Sequence, residues 1–558
     1  MSIFFPLRRF QVRLSLSASL VAKADFIKES MPNLRKGEQF PESFKGTAHP
    51  NFREGSEPWL RFKRPYVTIP PFRPGGEKES TLKYQAIIGM EVHVQLQTRS
   101  KMFCSCDANV FAEPPNSHVC PVCLGMPGVL PVINRRAVEL AIMTGLALNC
   151  QIAAYSVFAR KNYHYPDLPK GYQISQYELP LCQDGWIDIE VDDQARRIGI
   201  IRAHLEEDTG KLFHAGDVSR IDYNRSGIPL LEIVTRPDIR SAGEARQYLI
   251  KLRTILRYLG VSSGDMEKGA MRCEPNVSLR PLGSKELGTK VEVKNLNSIR
   301  VVKQALEYEI QRQARVLQSG GTVEQVTMGW DERQGATVVQ RSKEHSDDYR
   351  YFPEPDLPPL EIGREWVAEI RSQLPELPDA RRDRFVRDYG LSPYDASVLT
   401  ADRAVADYFE ACVATYPQAK IAANWIVGDL FRRMNETGED IEAVPITPQG
   451  LAELLTLVEN KTINLPTARE VFGIMFDTGQ AAREIVTSRG LAQITDESAL
   501  AGAVDRVLAD HSDAVQQYLA GKTTVAQFLM GQVMRATRGQ ADPQAVKRLL
   551  QERLDALR

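Results

Sequence analysis

Four cysteines within a short stretch form the strongest chemical pattern in the sequence. Cys104 and Cys106 make a C-x-C pair, Cys120 and Cys123 make a C-x2-C pair, and 13 residues separate the two pairs. Two short thiol pairs are typical of a tetrahedral Zn2+ site. Four thiolates leave no open coordination position for water, so the pattern predicts a structural zinc. His118 is an alternative ligand. Four buried or redox-active thiols are the alternative to metal binding altogether.

A second pattern combines carboxylates and a histidine on segments that alternate like β-strands. Glu91 and His93 fall on one face of the first segment, because side chains alternate with a period of two. The segment HLEED at 204–208 is a dense carboxylate cluster, and Glu292 lies between two lysines. Carboxylate oxygens suit Mg2+, and nearby lysines would hold phosphate charge. A solvated sheet face is the competing interpretation of each strand taken alone.

Four loop-like segments are rich in arginine, lysine, tyrosine and asparagine. Such groups are costly to bury without partners, so their density suits the wall of a binding cleft, although each alone is also compatible with an ordinary surface loop. The segments are residues 160–167, 172–176, 222–227 and 346–353. The sequence contains no G-x4-G-K-[ST] phosphate loop.

The C-terminal tail is basic. From residue 521 onward it carries seven basic and three acidic residues, a balance of +4. Phosphate backbones bind such faces through counterion release, and a plain solvated helix face is the alternative. The candidate nucleic-acid contacts are Lys522, Arg535, Arg538 and Lys547.

The elements that would position these residues divide the chain into four parts. Alternating, β-branched segments begin at Tyr84 and are interspersed with helical periods, which predicts an α+β domain with a mixed sheet. After residue 362 only helical periods remain, including runs at 364–388 and 392–417. The predicted parts are an N-terminal extension (1–81), the mixed-sheet domain (82–361), a helical connector (362–407) and an all-helical C-terminal domain (408–558).

The first 81 residues have a composition of their own. Residues 1–24 contain four basic residues, several serines and no acidic residue, which is typical of an organellar transit peptide. A disordered or mis-assigned start of a bacterial protein is the alternative. Residues 25–80 contain eight of the chain's 33 prolines and lack periodicity, so we expect an extended arm.

The overall composition excludes several classes of protein. The 558 residues include 70 Lys+Arg and 71 Asp+Glu, so the net charge of -1 excludes a globally basic nucleic-acid coat but not a local basic patch. Polar residues interrupt the most apolar run, at 138–159, so no membrane span is expected. Eight cysteines in a chain of this length indicate a reducing compartment rather than a disulfide scaffold.

Taken together, these segments resemble the family formed by the B subunits of aspartyl/glutamyl-tRNA amidotransferases. The resemblance covers residues 84–360 in order, and the tail segment FLMGQVMRATRGQADP also fits. It implies a cradle-shaped mixed-sheet domain followed by a helical domain and a YqeY-like, tRNA-binding tail. The matching segments are IGMEVHVQL, CPVCLGMPGVLPVIN, RKNYHYPDLPKGYQISQYE, HLEEDTGK, DYNRSGIPLLEIV, MRCEPNVSLRP, KVEVKNLNS and SDDYRYFPEPDLPPL.

The resemblance implies an ATP-dependent ligase activity that needs partner chains. Such a protein uses ATP and Mg2+ to phosphorylate the side-chain carboxylate of mischarged Glu-tRNA(Gln), Asp-tRNA(Asn) or both. Ammonia released from glutamine by the amidase, or A, subunit then displaces the phosphate, and a small C subunit completes a heterotrimer. The expected location is the bacterial cytoplasm, or a mitochondrion or plastid if the N-terminal extension is a transit peptide.

The resemblance also assigns roles to residues of this chain. The four cysteines match the zinc-bearing branch of the family. The implied phosphate or substrate contacts are Lys161, Lys170, Arg225 and Lys294. The implied Mg2+ ligands are Glu91, His93, Glu207 and Glu292, with Glu206 as a further catalytic carboxylate, and strand alternation cannot choose between Glu206 and Glu207. The competing functions are a zinc-containing RNA-binding module without catalysis and a tRNA-linked ligase that uses free ammonia alone.

Overall fold

The computed structural model describes residues 84–192, 194–216, 218–342, 348–494, 496–537 and 539–557. The predicted extension at residues 1–81 and Arg538 lie outside the described residues. The strands are β1 (Tyr84–Gln95), β2 (Gln151–Ile152), β3 (Tyr155–Ser156), β4 (Ala159–Asn162), β5 (Tyr172–Ser175), β6 (Cys182–Val191), β7 (Gln194–Glu207), β8 (Lys211–Ala215), β9 (Val218–Asp222), β10 (Pro229–Thr235), β11 (Met271–Pro281), β12 (Val291–Lys294), β13 (Val326–Asp331), β14 (Ala336–Ser342), β15 (Phe352–Pro353) and β16 (Leu360–Glu361).

Helices flank and follow these strands, and most of them lie in the C-terminal part of the chain. They are α1 (Arg135–Ala147), α2 (Ala242–Tyr258), α3 (Ile299–Gln318), α4 (Arg364–Ser372), α5 (Pro378–Tyr389), α6 (Pro393–Leu399), α7 (Arg403–Thr415), α8 (Ala419–Asn424), a π-helical segment (Trp425–Leu430), α9 (Phe431–Thr437), a 3-10 turn (Ile441–Ala443), α10 (Pro448–Glu459), α11 (Leu465–Thr478), α12 (Ala482–Ser488), α13 (Glu497–Asp510), α14 (Ser512–Leu519), α15 (Val525–Ala536) and α16 (Pro543–Ala556).

A nine-stranded sheet forms the centre of the first part, with the order β14-β13-β12-β11-β1-β10-β7-β6-β2. Its neighbours pair antiparallel except β12 and β13, which pair parallel, so the predicted mixed sheet is confirmed. Alternation along β1 divides the two faces. Met90, Val92 and Val94 are buried on one face, whereas Glu91 and His93 are partly exposed on the other.

Three helices cover the apolar face of this sheet and leave the opposite face to polar groups. α1 packs against β6 and β7, α2 against β6, and α3 against β11 and β14. Each helix begins at a polar side chain that accepts backbone N–H groups of the first turn, which satisfies donors that a helix start leaves unpaired. These N-caps are Asn134, Ser241 and Ser298.

The C-terminal part is all helical and has two hydrophobic cores. One core runs from Phe385 to Val486 and the other from Leu500 to Leu554. The boundary that we predicted at 407/408 falls inside α7, where Tyr408 is buried in the first of these cores. Among the described residues, no helix is long and apolar enough to cross a membrane. The predicted α+β class with a helical C-terminal region is confirmed.

The two long helical runs predicted in this region are each divided into two helices. The run at 364–388 is interrupted before Pro378, which opens α5 and keeps Leu377 extended. A proline disfavours the helical conformation of the residue before it, which explains the break. The run at 392–417 breaks at Asp402, whose side chain caps the start of α7.

Candidate active site and metal centre

The polar face of the central sheet brings acidic and histidine side chains from neighbouring strands into one row. His93 on β1 pairs in register with Glu232 on β10, and Glu232 pairs in turn with His204 on β7. Glu206 follows His204 by two residues and therefore shares its face. Paired residues of antiparallel strands present their side chains on the same side, which places all four groups together.

His93, Glu206 and Glu232 form the closest group of this row, and we call it the acidic triad. The Nε2 atom of His93 lies 3.4 Å from Oε1 of Glu206 and 3.4 Å from Oε2 of Glu232. One ligand atom from each residue lies within 4.8 Å of the other two. Ser175 Oγ donates to Oε2 of Glu206 at 3.4 Å and helps to fix that carboxylate.

Burial and mutual charge perturb the triad strongly. Burial alone would lower the pKa of His93, but the hydrogen bond to Glu232 and the charge of Glu206 raise it to about 9. Burial and then the charge of Glu232 raise the pKa of Glu206 to about 7. Beside the triad, burial lowers the pKa of His204 to about 4, so this imidazole is neutral at pH 7. Perturbed groups of this kind concentrate at functional sites.

The donor set of the triad fits a divalent cation. Two carboxylates and one imidazole provide three ligands, and Mg2+ usually takes only a few protein ligands and leaves the rest of its octahedron to water and phosphate oxygens. Glu232 is absent from our sequence-based set of candidate residues. Its signal is a lone carboxylate in the otherwise apolar strand PLLEIVT, where a buried charge needs a partner.

A second acidic group continues the row across β11 and β12. Glu91 accepts a hydrogen bond from Asn276 Nδ2 at 2.9 Å, and burial followed by neighbouring carboxylates raises its pKa. Lys294 Nζ lies 2.7 Å from Glu274 and 3.2 Å from Glu292. Glu91, Glu292 and Lys294 thus share the polar face with the triad, although the three-residue group within 4.8 Å does not include them.

Glu207 occupies a different environment from Glu206, its neighbour on β7. Lys170 Nζ lies 2.5 Å from Glu207 Oε1, and the same oxygen accepts the backbone N–H of Ile174 at 3.0 Å. Consecutive strand residues point to opposite sides, so only one of the two carboxylates can join His93. The structure brings Glu206 to His93 and directs Glu207 to Lys170.

A partly buried network of ion pairs and hydrogen bonds holds Arg225 near the end of β7. Its guanidinium donates to the carbonyl oxygens of Thr209 at 3.0 Å and Gly210 at 2.7 Å, and lies 3.7 Å from Asp208. Arg272 forms two hydrogen bonds, of 3.0 and 2.9 Å, with Asp208. Burial would raise the pKa of Asp208, but the charge of Arg272 and then that of Arg225 lower it to about 2.

Tyr177 and side chains from two of the predicted cleft segments, 160–167 and 346–353, form an aromatic wall. Tyr177 and Tyr351 are stacked, with centroids 4.2 Å apart and planes 9° apart. Lys161 Nζ lies 4.8 Å from the ring centroid of Tyr349. Burial and then the charges of Glu232 and Glu206 raise the pKa of Tyr351.

The four cysteines of the predicted zinc site converge, and we call them the cysteine cluster. Their Sγ atoms lie within 4.8 Å of one another, and Cys123 is the most buried of the four. A hydrogen bond from Cys104 lowers the pKa of Cys123 to about 5, whereas burial raises that of Cys106 to about 12. Four converging thiols match the donor set of a tetrahedral structural zinc, so the residues fit that metal.

His118, the alternative ligand, is not one of the four converging groups. Its ring lies 3.5 Å from Glu113. All eight cysteines, which lie in the described residues, are free of disulfides. A cavity of about 220 Å³ is lined by residues of both the cysteine cluster and the Lys170–Glu207 pair. Its lining includes Cys104, Cys123, Met126, Lys170, Tyr172 and Glu207.

The described basic residues of the tail lie on its surface. Lys522, Arg535 and Lys547 are exposed and belong to the unit formed by the last core. By contrast, Arg548 is paired with Glu497 at 2.5 Å and Arg553 with Asp505 at 3.0 Å. The three exposed residues are therefore the more available for an external anion.

Fold and site together define an α+β protein with two side-chain groups that could hold a metal ion and with an all-helical C-terminal region. A family model described as "GatB/GatE catalytic domain" matches residues 86–368, and one described as "GatB domain" matches residues 407–554. The chain belongs to this GatB/GatE family, which confirms the resemblance seen in the sequence.

Individual relatives agree with this assignment along most of the chain. A protein of Moorella thermoacetica is 55% identical over 477 residues, which is 85% of this chain and all of the relative. Relatives from Carboxydothermus hydrogenoformans (53%, 85% of this chain and all of the relative) and Roseiflexus castenholzii (52%, 85% of this chain and 99% of the relative) are similar. All three are named as the B subunit of an aspartyl/glutamyl-tRNA(Asn/Gln) amidotransferase.

Proposed function

We propose that this chain is the component of a tRNA-dependent amidotransferase that activates a carboxylate and then amidates it. The substrates are ATP and Glu-tRNA(Gln), Asp-tRNA(Asn) or both, and the products are Gln-tRNA(Gln) or Asn-tRNA(Asn). The observation that carries the proposal is the acidic triad, in which His93 lies 3.4 Å from both carboxylates, in a chain of this family. Its location is the reducing cytoplasm of a bacterial cell, where free thiols persist.

The reaction needs activation because a carboxylate is a poor electrophile with a poor leaving group. A side-chain carboxylate oxygen attacks the γ-phosphorus of ATP, ADP leaves, and an acyl phosphate forms. Ammonia then attacks the acyl carbon, and inorganic phosphate leaves with the electrons of the C–O bond. Catalysis of this kind rests on positioning and charge rather than on a protein nucleophile.

The residues of the polar face have distinct roles in this scheme. The triad would hold Mg2+, which neutralises phosphate charge when bound. Lys161, at the edge of the tyrosine wall, attracts the transferred phosphoryl group. Arg225 and Lys294 contact substrate at the two ends of the site, and Glu91 and Glu292 extend the acidic surface beside the triad. Glu207 positions Lys170 through their ion pair.

Partner chains supply the ammonia. The relatives are named as B subunits, and we propose that an amidase, the A subunit, releases ammonia from glutamine while a small C subunit completes the heterotrimer. The four thiols of the cysteine cluster would hold a structural Zn2+, which fixes the loop at 104–123. The exposed basic residues of the tail, together with Arg538, bind the tRNA backbone.

ATP consumption that depends on mischarged tRNA tests this function. In a complex reconstituted with both partner chains, Glu206→Gln should lower tRNA-dependent ATP consumption by about 100-fold or more, the scale of one removed electrostatic contact in a transition state. Glu190→Gln is the matched control, because Glu190 lies on the adjacent strand with 67% of its side chain exposed. Binding of tRNA should persist in both variants.

Three outcomes would contradict the proposal in different ways. Unchanged turnover in Glu206→Gln would remove the metal role of the triad. A wild-type complex that binds tRNA without consuming ATP would indicate an RNA-binding module instead. Release of ammonia from glutamine by this chain alone would overturn the division of labour between the three chains.

A further inference from the structure

A buried lysine lies directly against the cysteine cluster. Lys101 has no exposed surface, although lysine is rarely found in a protein interior without a charged partner. Its Nζ atom donates to the carbonyl oxygens of His118 at 2.8 Å and Tyr223 at 3.4 Å. The third partner is Cys123 Sγ at 3.7 Å, within hydrogen-bonding distance for sulfur.

These partners satisfy the three N–H groups of the ammonium but leave its charge to the sulfur atoms. Two carbonyl oxygens are neutral, and an isolated buried ammonium is costly. Among its three hydrogen-bond partners, only Cys123 Sγ can carry a negative charge. Four thiolates around one Zn2+ carry a formal charge of about -2, so a neighbouring cation is favourable when the metal is bound.

We propose that Lys101 is the counter-ion of the zinc–thiolate centre and that it connects this centre to residues 223–227, the loop that carries Arg225. This inference rests on the zinc assignment proposed above. The ammonium stabilises the thiolate of Cys123 as a metal ligand through a charge-assisted N–H···S hydrogen bond. Partners of this kind outside the ligand set fix ligand orientation and raise metal affinity.

The same ammonium connects the metal centre to the loop that carries Arg225. Lys101 binds the carbonyl of Tyr223, and Met102 N–H donates to Gly227 O at 2.7 Å, so consecutive residues bind both ends of this loop. Gly227 has a positive φ of 86°, and a Cβ atom there would lie 3.5 Å from Cys123 and 3.6 Å from the Lys101 side chain. The metal centre thereby sets the position of residues 223–227.

Two substitutions of Lys101 separate its charge from its hydrogen bonds. Lys101→Gln keeps an N–H donor but removes the charge, and Lys101→Met removes both. The matched control is Lys268→Met, because Lys268 packs 5.3 Å from the ring of Phe111 in the same cysteine loop but has 60% of its side chain exposed. The full chain is purified with zinc, and metal content is measured first.

The rate of zinc transfer to a chromogenic chelator is the main measurement. We expect both Lys101 variants to release zinc about 10–100-fold faster than wild type, the range for partners outside the ligand set, and the control to match wild type. Hydrogen exchange at residues 222–228 should become faster in Lys101→Met but not in Lys268→Met, a change that activity measurements alone would not reveal.

Each outcome decides a separate point. If Lys101→Gln releases zinc at the wild-type rate, the counter-ion role is overturned. If hydrogen exchange at residues 222–228 is unchanged in Lys101→Met, the link to the loop is overturned. If Lys101→Met does not fold, Lys101→Gln still tests the charge, with Co2+ in place of zinc: an unshifted sulfur-to-cobalt charge-transfer band would count against the proposal. A wild-type chain that holds no zinc would instead refute the zinc assignment itself.

Discussion

At the scale of single residues, the site is dominated by charges that have been removed from water. The Lys170–Glu207 pair is the clearest case, because 10% of the lysine side chain and 2% of the glutamate side chain are exposed. A buried ion pair contributes little net stability, since desolvation offsets the attraction, but removal of one partner leaves the other charge uncompensated. The two carboxylates at the end of β7 should therefore respond differently to substitution.

We predict that Glu207→Gln destabilises the protein because Lys170 loses its counter-charge. The free energy of unfolding of the domain should fall by about 3–5 kcal/mol, the usual effect of breaking a buried pair from one side. Urea unfolding followed by fluorescence measures this change. The double variant Glu207→Gln/Lys170→Met should recover much of the loss, and a Glu207→Gln protein as stable as wild type would contradict the prediction.

The choice between Glu206 and Glu207 also shows where sequence reasoning ended at this scale. The alternation of β7 predicts that the two carboxylates face opposite sides, but it does not say which side holds His93. That choice depends on the register of β10 between β1 and β7, a contact between residues far apart in the chain. Glu232 was missed for the same reason, because only that register turns one carboxylate in an apolar strand into a neighbour of His93.

At the scale of elements, each part of the site combines a local pattern with a distant partner. The strands and helices of the first domain follow their period-2 and period-3.6 patterns, which is why the mixed sheet could be predicted. The cysteine loop was predicted from spacing alone, because its pairs are local. Its packing against residues 223–227 could not be predicted, since nothing in the spacing specifies that contact.

We predict that the cysteine loop loses its metal when one ligand is removed. Purified wild-type protein should contain about one Zn2+ per chain, and Cys120→Ser should contain little, because an incomplete tetrahedral set holds zinc weakly. Elemental analysis after gel filtration measures this content. Cys150→Ala, which changes a buried thiol outside the cluster, should keep its zinc; a wild-type protein without metal would refute the site.

A second element-scale prediction concerns the contact between α5 and α7. Arg381 is buried and bonds Glu410 and Asp407, and Arg384 Nη1 donates to Glu410 at 2.6 Å. Glu410→Gln should lower the free energy of unfolding of the helical region by about 1–3 kcal/mol, less than a fully buried pair because Glu410 is partly exposed. Asp407→Asn, with a 56% exposed side chain, should have a smaller effect in the same urea titration, and equal effects would contradict this account.

At the scale of the whole molecule, the chain carries its site and its tail on separate hydrophobic cores. The last core, Leu500 to Leu554, contains no residue of the polar sheet face. The helical nature of this region follows from sequence periodicity. The division into separate cores does not follow from periodicity, because the apolar pattern of a helix does not specify which neighbouring helix it packs against. A tail that folds around its own core can contribute binding without contributing chemistry.

The tail therefore allows a test in which tRNA affinity changes while the catalytic site stays intact. We predict that the triple variant Lys522→Gln/Arg535→Gln/Lys547→Gln binds tRNA more weakly, because three exposed phosphate contacts are lost. The slope of log K against log salt concentration should decrease by about 2–3, or somewhat less than one per contact. ATP consumption at saturating tRNA should approach the wild-type rate.

The control for this variant must remove the same charge elsewhere. Arg300→Gln/Arg315→Gln/Arg333→Gln changes the net charge equally at positions on the surface of the first domain. A general electrostatic effect would lower affinity equally in both triple variants, whereas a tail that binds the phosphate backbone lowers it mainly in the first. Equal salt slopes for the two variants would show that charge alone accounts for the change in affinity. That result would remove the tail from the binding surface and leave tRNA recognition to the mixed-sheet domain.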